Sequence, residues 1–153
     1  MKKLLSRMRD SALFDPETVL FAVVSAASIE TAEEFLSLPL PELLKSCYLE
    51  IGNGGFGPGP LIGLPGGYES SWGDLLQTWM VMREDEDYEE NWLPIIDWGC
   101  AQFSLIDCND LQMVTLYEGE FHPEDYSFET LLRRWVDGEL PELLSGEFYR
   151  RKN

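Results

Sequence analysis

The chain has 153 residues, of which 44% are hydrophobic, and this length and apolar content are typical of a single folded domain. Its 28 acidic and 11 basic residues give a formal net charge of −17 at pH 7, which argues against binding to nucleic-acid phosphates or to anionic membrane surfaces. The same charge favours either high solubility or attraction of a basic protein partner.

The cysteines form no recognisable ligand or redox motif. Cys47, Cys100 and Cys108 are odd in number, and none of them lies in a C-x-x-C spacing. The spacing therefore indicates neither a zinc site nor a thiol–disulfide motif. We expect free thiols, no cofactor and no bound metal.

The first 28 residues are predicted to form a helical extension. A short helix is expected over residues 2–9, and a second one begins after Asp15, with Pro16 in its first turn, and continues to about Ala27. Basic residues followed by the apolar run Val19–Ala27 imitate a signal peptide, but acidic residues separate the two and the run is too short to span a bilayer. We therefore expect a cytoplasmic protein that does not bind membranes.

Two further helices precede a glycine-rich loop. Ser28 is the predicted cap of the first, which has apolar residues at helical spacing up to Leu36. Pro41 suits the first position of the second, whose apolar stripe reaches Ile51. Asn53–Gly55 then end that helix, because Asn and Gly tolerate the positive φ that often follows a helix.

The glycine-rich loop continues through Phe56 and a rigid turn, Gly57–Pro60, into a short predicted strand at Leu61–Leu64. Phe56 is a candidate anchor for a partner, in the part of the loop expected to be exposed. A small ligand held by the loop is an alternative, although no polar constellation marks a site for one.

An acidic segment follows a helix predicted over residues 71–83, for which Ser71 is a possible cap. Its members are Glu84, Asp85, Glu86, Asp87, Tyr88, Glu89 and Glu90. A block of like charges repels itself and stays solvated, but it can also form a docking edge for Lys and Arg of a partner, with Tyr88 as an anchor. Calcium binding is a third interpretation, although the segment lacks the alternating oxygens and central glycine of an EF-hand loop.

A hairpin is predicted from residues 100–107 and 112–118, in which apolar and polar side chains alternate on either side of a turn. Asp97, Asp107 and Asp110 are expected near one end of this hairpin, where gathered carboxylates would suit Mg²⁺. Aspartates that bond their own backbone in turns are the alternative interpretation.

The C-terminal region contains the single histidine, His122, which is predicted to lie in a loop. Because no serine or cysteine lies in a nucleophile motif such as G-x-S-x-G, the sequence does not indicate a catalytic role for it. Ser127 is the predicted cap of a last helix with a buried face over Phe128–Val136, which Gly138 ends. One more helical turn is expected after Pro141.

A set of residues around the glycine-rich loop forms a specific pattern. These residues are Leu38, Pro39, Leu43, Leu44, Tyr48, Asn53, Gly54, Gly55, Phe56, Gly57, Pro58, Gly59, Leu61, Gly63 and Leu64. The pattern resembles the signature of the SUKH superfamily, a domain named partly after a yeast cell-wall-assembly regulator. The block from Trp92 to Asp107 is similar to bacterial members, and Phe128–Trp135 is similar to their closing helix.

The resemblance and the order of the predicted elements imply the same fold class. That class is α+β, as a single domain with an antiparallel or mixed sheet and helices packed against it. The SUKH-like domain is expected over residues 29–149, after the N-terminal helical extension at residues 1–28 and before a basic tail at residues 150–153. The resemblance does not explain the apolar run Val19–Ala27.

For function, the resemblance implies a protein-binding module that is not an enzyme. Many bacterial members are immunity proteins that bind and neutralise a toxin domain, often a nuclease, and others are regulatory adaptors. An acidic inhibitor suits a basic nuclease cleft, so we expect an immunity protein whose partner contacts are Glu84–Glu90 and Phe56. The alternatives are an intracellular adaptor for a host protein and a metal-assisted hydrolase built on Asp97, Asp107 and Asp110.

Overall fold

The computed structural model describes residues 1–16 and 18–139, which form an α+β domain, as predicted. Its helices are Lys2–Phe14 (α1), Ala26–Leu36 (α2), Glu42–Glu50 (α3), Leu75–Met82 (α4) and Phe128–Asp137 (α5). Its strands are Trp92–Gly99 (β1), Gln102–Asp107 (β2), Gln112–Tyr117 (β3) and Glu120–Ser127 (β4). The strands form one antiparallel sheet in the order β1-β2-β3-β4.

Both faces of the sheet bury apolar side chains, because successive residues of a strand point to opposite faces. On one face, Ile106 and Met113 belong to the main core, which the helices cover. On the other face, Phe103, Leu105 and Val114 belong to a smaller core that includes Met82 at the end of α4. The chain after α4 therefore passes beside this second core on its way to β1.

The predicted hairpin is confirmed as β2 and β3, but the two edge strands were not predicted. His122 lies in β4 opposite Thr115 rather than in a loop, and the chain from Trp92 to Gly99 is a full strand. Both edge strands contain a proline, Pro94 or Pro123, which is a residue that breaks a central strand but is tolerated at a sheet edge.

The helix caps correct two predictions and confirm one. Helix α2 begins after Ser25, whose Oγ accepts a hydrogen bond from the Ser28 amide, so Ser28 lies inside the helix. Helix α4 begins after Asp74, which forms a capping box with Gln77, so Ser71 is not its cap. Helix α5 has the predicted cap, Ser127, whose Oγ accepts from the Thr130 amide at 3.1 Å.

The predicted helix from Pro16 to Ala27 is wrong. Helix α1 continues to Phe14, and residues 18–25, here called the N-terminal strap, are not helical. The strap is held by hydrogen bonds from the Val24 amide to the Tyr48 carbonyl at 2.9 Å and from the Asn53 amide to the Ala22 carbonyl at 3.1 Å. Three valines give this segment a low helix propensity, so docking on α3 and the loop after it decides its conformation.

The glycine-rich loop, residues 52–64, is part of the core. The Asn53 side chain is buried and bonds both backbone groups of Leu64, donating to its carbonyl at 3.1 Å and accepting from its amide at 2.7 Å. The Tyr48 hydroxyl donates to the Ile62 carbonyl at 2.6 Å. Leu61–Leu64 was predicted to be a strand, and this prediction is wrong. Only an isolated bridge joins Leu61 to Ile96.

Helix α1 packs on the same core as the rest of the described chain. Leu4, Leu5 and Met8 belong to the main core together with residues of α5, and Arg7 forms an ion pair with Asp137 at 2.5 Å. The boundary between the N-terminal extension and the SUKH-like domain, placed after residue 28 from the sequence, stays a prediction. The turn expected after Pro141 and the basic tail at residues 150–153 lie outside the described residues.

Candidate binding site

The acidic loop, residues 84–90, connects α4 to β1 and is ordered by its own hydrogen bonds. The Asp85 carboxylate accepts from the Asp87 amide at 2.9 Å, and the Asp85 carbonyl accepts from the Tyr88 amide at 3.1 Å. The Trp92 amide donates to the Glu89 carbonyl at 3.1 Å, where the loop enters β1. The loop is therefore a defined turn structure, although its six acidic side chains are exposed.

Tyr88 attaches the acidic loop to the sheet. Its hydroxyl donates to the Trp92 carbonyl at 2.5 Å, and its ring makes edge contacts with Trp92 at 5.7 Å and Phe121 at 5.9 Å between centroids. Burial raises the pKa of the Tyr88 phenol above its ordinary value. Tyr88 thus has a structural role, and its predicted contact with a partner stays a prediction.

A groove of about 660 Å³ lies between the acidic loop and the end of α2. Its acidic side is formed by Glu84, Asp85, Glu86 and Glu90. Its apolar side is formed by Phe35, Leu36, Leu38 and Trp79, and Arg83 and Tyr88 lie between the two sides. The groove therefore combines negative charge and apolar surface, the two properties that a basic amphipathic ligand requires.

The aromatic floor of the groove is partly open. Phe35 is 49% exposed and Trp79 is 7% exposed, and their rings form an edge contact at 5.9 Å. The Arg83 guanidinium lies over the Trp79 ring at 4.3 Å from its centroid, a cation–π contact. One face of the Trp79 ring is therefore occupied by a cation of the chain itself, whereas the Phe35 ring is open to a ligand.

The carboxylates of the acidic loop form no ion pairs in the part of the chain that the structure describes. Arg83, at the start of the loop, is instead placed over Trp79. The loop therefore presents a local excess of negative charge in a fixed geometry, which electrostatic attraction to a basic surface would satisfy.

Residues 23–134 match the model of the SMI1 / KNR4 family (SUKH-1). The chain belongs to this family. The match includes the glycine-rich loop, the acidic loop and the whole sheet, so the resemblance seen in the sequence is confirmed. Comparison with curated proteins gives no significant match. SUKH-1 proteins are generally non-catalytic immunity or regulatory proteins, so at the level of the family this chain is a protein-binding module.

The SUKH-1 signature residues of this chain form the fold rather than an open site. Phe56 is 1% exposed and belongs to the main core, so the expectation that it lies on the exposed part of the loop is wrong. A Cβ at Gly55 would lie 2.6 Å from the Val19 carbonyl oxygen of the strap. The apolar Phe56 ring follows the hydrophobic effect inward, and the lack of a side chain at Gly55 lets the strap approach closely.

The three aspartates of the proposed magnesium site are not gathered. Asp97 lies opposite Phe103, whereas Asp107 lies opposite Trp92, at the other end of the β1–β2 pair. Asp97 accepts hydrogen bonds from Ser71 and the Gly99 amide, and Asp110 accepts from the Gln112 amide. Among the described residues no group of three or more His, Cys, Asp or Glu could hold a metal ion. The hydrogen bonds of Asp97 and Asp110 to nearby backbone amides fit the turn-forming interpretation. The expectation that the three aspartates gather into one site, on which the hydrolase alternative depended, is wrong.

The groove contains residues that the sequence did not single out as a site. Phe35 and Trp79 lie in helices that the sequence predicts, Arg83 lies at the end of one of them, and none of the three was named as a candidate site residue. Their proximity comes from the packing of α2 against α4, which periodicity within one helix cannot reveal.

Membrane-spanning helices are absent from the described residues, because none of the helices there combines the necessary length with a sufficiently apolar sequence.

Proposed function

We propose that this chain is an immunity protein that binds a basic toxin domain, such as a nuclease, and neutralises it through the acidic loop. The observation that carries the proposal is the ordered acidic loop Glu84–Glu90, whose carboxylates have no ion-pair partners among residues 1–16 and 18–139. Membership of SUKH-1 supports a protein-binding role and does not specify the partner.

The physical basis is electrostatic complementarity with a preorganised surface. A nuclease must attract phosphates, so its substrate cleft is basic, and an acidic surface of matching shape can occupy that cleft. Because Tyr88 and the loop hydrogen bonds already fix the backbone, association loses less conformational entropy than it would with a disordered acidic segment. Neutralisation then requires only that the cleft is covered, without any chemical step.

The test begins with a tagged chain used to capture proteins from the source cell at low and high salt. A captured basic protein is then expressed with and without this chain, and cell survival and the protein's toxic activity are measured. Protection supports the immunity function. A bound host protein without toxicity contradicts it and favours a regulatory adaptor.

The role of the acidic loop is tested with matched charge variants against the captured partner. The loop variant carries Glu84→Gln, Asp85→Asn, Glu86→Gln and Glu90→Gln, which keeps the acceptor oxygen that Asp85 offers to the Asp87 amide. The control variant carries Asp10→Asn, Glu50→Gln, Glu69→Gln and Asp125→Asn, four exposed acids outside the groove. We expect the loop variant to lower the association rate constant about tenfold or more at low salt, and the control to lower it clearly less. Equal losses would contradict a local role of the loop.

A further inference from the structure

Two helix C-termini end at the groove, and the charges beside them differ. Helix α2 ends at Leu36 and has Glu33 and Glu34 but no basic residue in its last turn. Glu33 pairs with Lys45 at 3.6 Å, whereas Glu34 forms no ion pair with a lysine or arginine among the described residues. Helix α4 ends at Met82 with Arg83 as its cap, a charge that suits the helix dipole. A cation supplied from outside would therefore remove repulsion at Glu34, which lies at the negative end of the α2 dipole.

The groove also continues beyond the acidic loop. A second depression of about 380 Å³ lies along the end of α2 and shares Ser37 and Leu38 with the groove. Its lining adds the exposed carboxylates of Glu30 and Glu34. The two depressions therefore adjoin at Ser37 and Leu38. Together they are here called the channel, and each part is lined by both acidic and apolar residues.

Trp79 adds an unsatisfied donor beneath the apolar surface of the channel. Its ring lines the groove, it is 7% exposed, and its indole Nε1–H is buried without a hydrogen-bond acceptor among the described residues. Arg83 lies over the same ring. A buried donor without an acceptor is costly, so a bound segment that moves Arg83 and brings a backbone carbonyl to Nε1 would gain affinity.

We propose that this channel binds an amphipathic basic segment of the partner protein. An aliphatic or aromatic side chain of that segment would lie on Phe35 and Leu38, and flanking Lys or Arg side chains would lie against Glu34 on one side and Glu84 and Glu86 on the other. The choice of occupant follows from the acidic lining of both parts of the channel and from the apolar residues between and beside the carboxylates. This inference rests on the proposed function, because it names the part of the partner that the acidic surface recognises.

The test uses a defined probe, a capped synthetic peptide of Leu with Lys and Arg at helical spacing. Two comparison peptides replace either all basic residues by Glu or all leucines by Ser. Amide and indole ¹H–¹⁵N spectra of the full chain are recorded during each titration. We expect the first peptide to shift signals of residues 34–38 and 79–91, including the Trp79 indole, and both comparison peptides to bind at least about tenfold more weakly.

Two exposed phenylalanines provide a matched pair of variants. Phe35 is 49% exposed in the channel, whereas Phe14 is 89% exposed at the end of α1 and outside it. We expect Phe35→Ser to weaken peptide binding about tenfold and Phe14→Ser to leave it within about twofold, with both variants folded by circular dichroism.

Several outcomes would overturn the inference. These are equal losses in the two variants, equal binding of the leucine-free peptide, and shifts spread over all acidic surfaces. Self-association of the chain that Phe35→Ser abolishes, without peptide binding, would assign the channel to a second copy instead. If the captured toxin is neutralised but the peptide does not bind, the proposed function stands and this inference fails. If the peptide binds specifically but no toxin is neutralised, the binding channel is supported and the proposed immunity function fails.

Discussion

The glycine-rich loop and the acidic loop both follow the C-terminus of a helix, yet they use their residues in opposite ways. After α3, the glycine-rich loop turns inward, and Asn53, Phe56 and Leu61–Leu64 are buried. After α4, the acidic loop turns outward, and it buries only part of Tyr88. One loop satisfies its polar groups internally, whereas the other leaves its charges to be satisfied from outside.

This difference separates the residues that identify the family from those that offer binding chemistry. A pattern of glycines, Asn53 and Phe56 reports a backbone arrangement, so it specifies the fold and says little about a partner. The exposed charges and the half-open aromatic floor report what the surface can attract. If this division is correct, changes in the glycine-rich loop alter the free energy of unfolding, and changes in the acidic loop alter association.

The largest effect on stability is expected from Gly55→Ala. Gly55 has φ +88°, and its added Cβ would lie 2.6 Å from the Val19 carbonyl oxygen. Gly66 has a similar φ of +93° but no atom within 4 Å of the same position. We expect Gly55→Ala to lower the free energy of unfolding by about 3 kcal/mol or more, and Gly66→Ala by about 1–2 kcal/mol, in urea denaturation. Equal losses would mean that the strap does not restrict this glycine.

A somewhat smaller loss is expected from Asn53→Ala. The substitution removes both hydrogen bonds to Leu64 and leaves the buried Leu64 amide without its acceptor, while the Leu64 carbonyl still accepts from the Gly67 amide at 2.9 Å. We expect a loss of about 2–3 kcal/mol in the free energy of unfolding. The exposed Asn109 provides the control, since Asn109→Ala should change stability by less than about 0.5 kcal/mol. A stable Asn53→Ala variant would show that the loop does not depend on this side chain.

The sequence predicted the parts of the fold that depend on local chemistry. The hairpin of β2 and β3 and the cap of α5 follow from alternation and a serine. The predicted stop of α3 at Asn53–Gly55 is wrong, since the helix ends at Glu50 with a right-handed cap at Ile51 and positive φ begins only at Gly54. The conformations of the strap and of the two edge strands could not be predicted from local sequence. Docking on α3 decides the conformation of the strap, and pairing at the edge of the sheet decides that of β1 and β4. Tertiary contacts outweigh propensity in both cases.

The candidate site was predicted only in part for the same reason. The position of the acidic loop is a property of the sequence, whereas the groove exists because α2 and α4 place Phe35 beside Trp79. Phe56 was misjudged because an aromatic residue after a glycine pair can point either way, and only the surrounding core decides its direction. Residues brought together by packing of separate helices leave no mark within either helix.

Two tyrosines allow the two regions to be compared at high pH. Tyr48 donates to Ile62 before the glycine-rich loop and Tyr88 donates to Trp92 in the acidic loop, and burial raises the pKa of both phenols. Both stay protonated in the folded chain and ionise only in the unfolded chain once the pH exceeds about 10, so their stabilising contribution is complete below that pH and declines above it.

The expected measurement is the pH dependence of urea unfolding. Each tyrosine contributes a decline of up to about 1.4 kcal/mol per pH unit above pH 10, so Tyr48→Phe and Tyr88→Phe should each make the decline less steep. At neutral pH each variant should lose about 1 kcal/mol, since one hydrogen bond is removed and the ring is kept. If Tyr88→Phe left the alkaline decline unchanged, the acidic loop would not be anchored as described.

The smallest effect on stability is expected in the acidic loop itself. Glu84→Gln with Glu86→Gln removes two exposed charges that have no ion-pair partner among the described residues. We expect the free energy of unfolding to change by less than about 0.5 kcal/mol, and to rise slightly at low salt because repulsion between like charges falls. Glu69→Gln with Asp125→Asn is the control of equal charge. A loss above about 1 kcal/mol in the loop variant alone would show that these carboxylates stabilise the fold, and the distinction between the two loops would no longer hold.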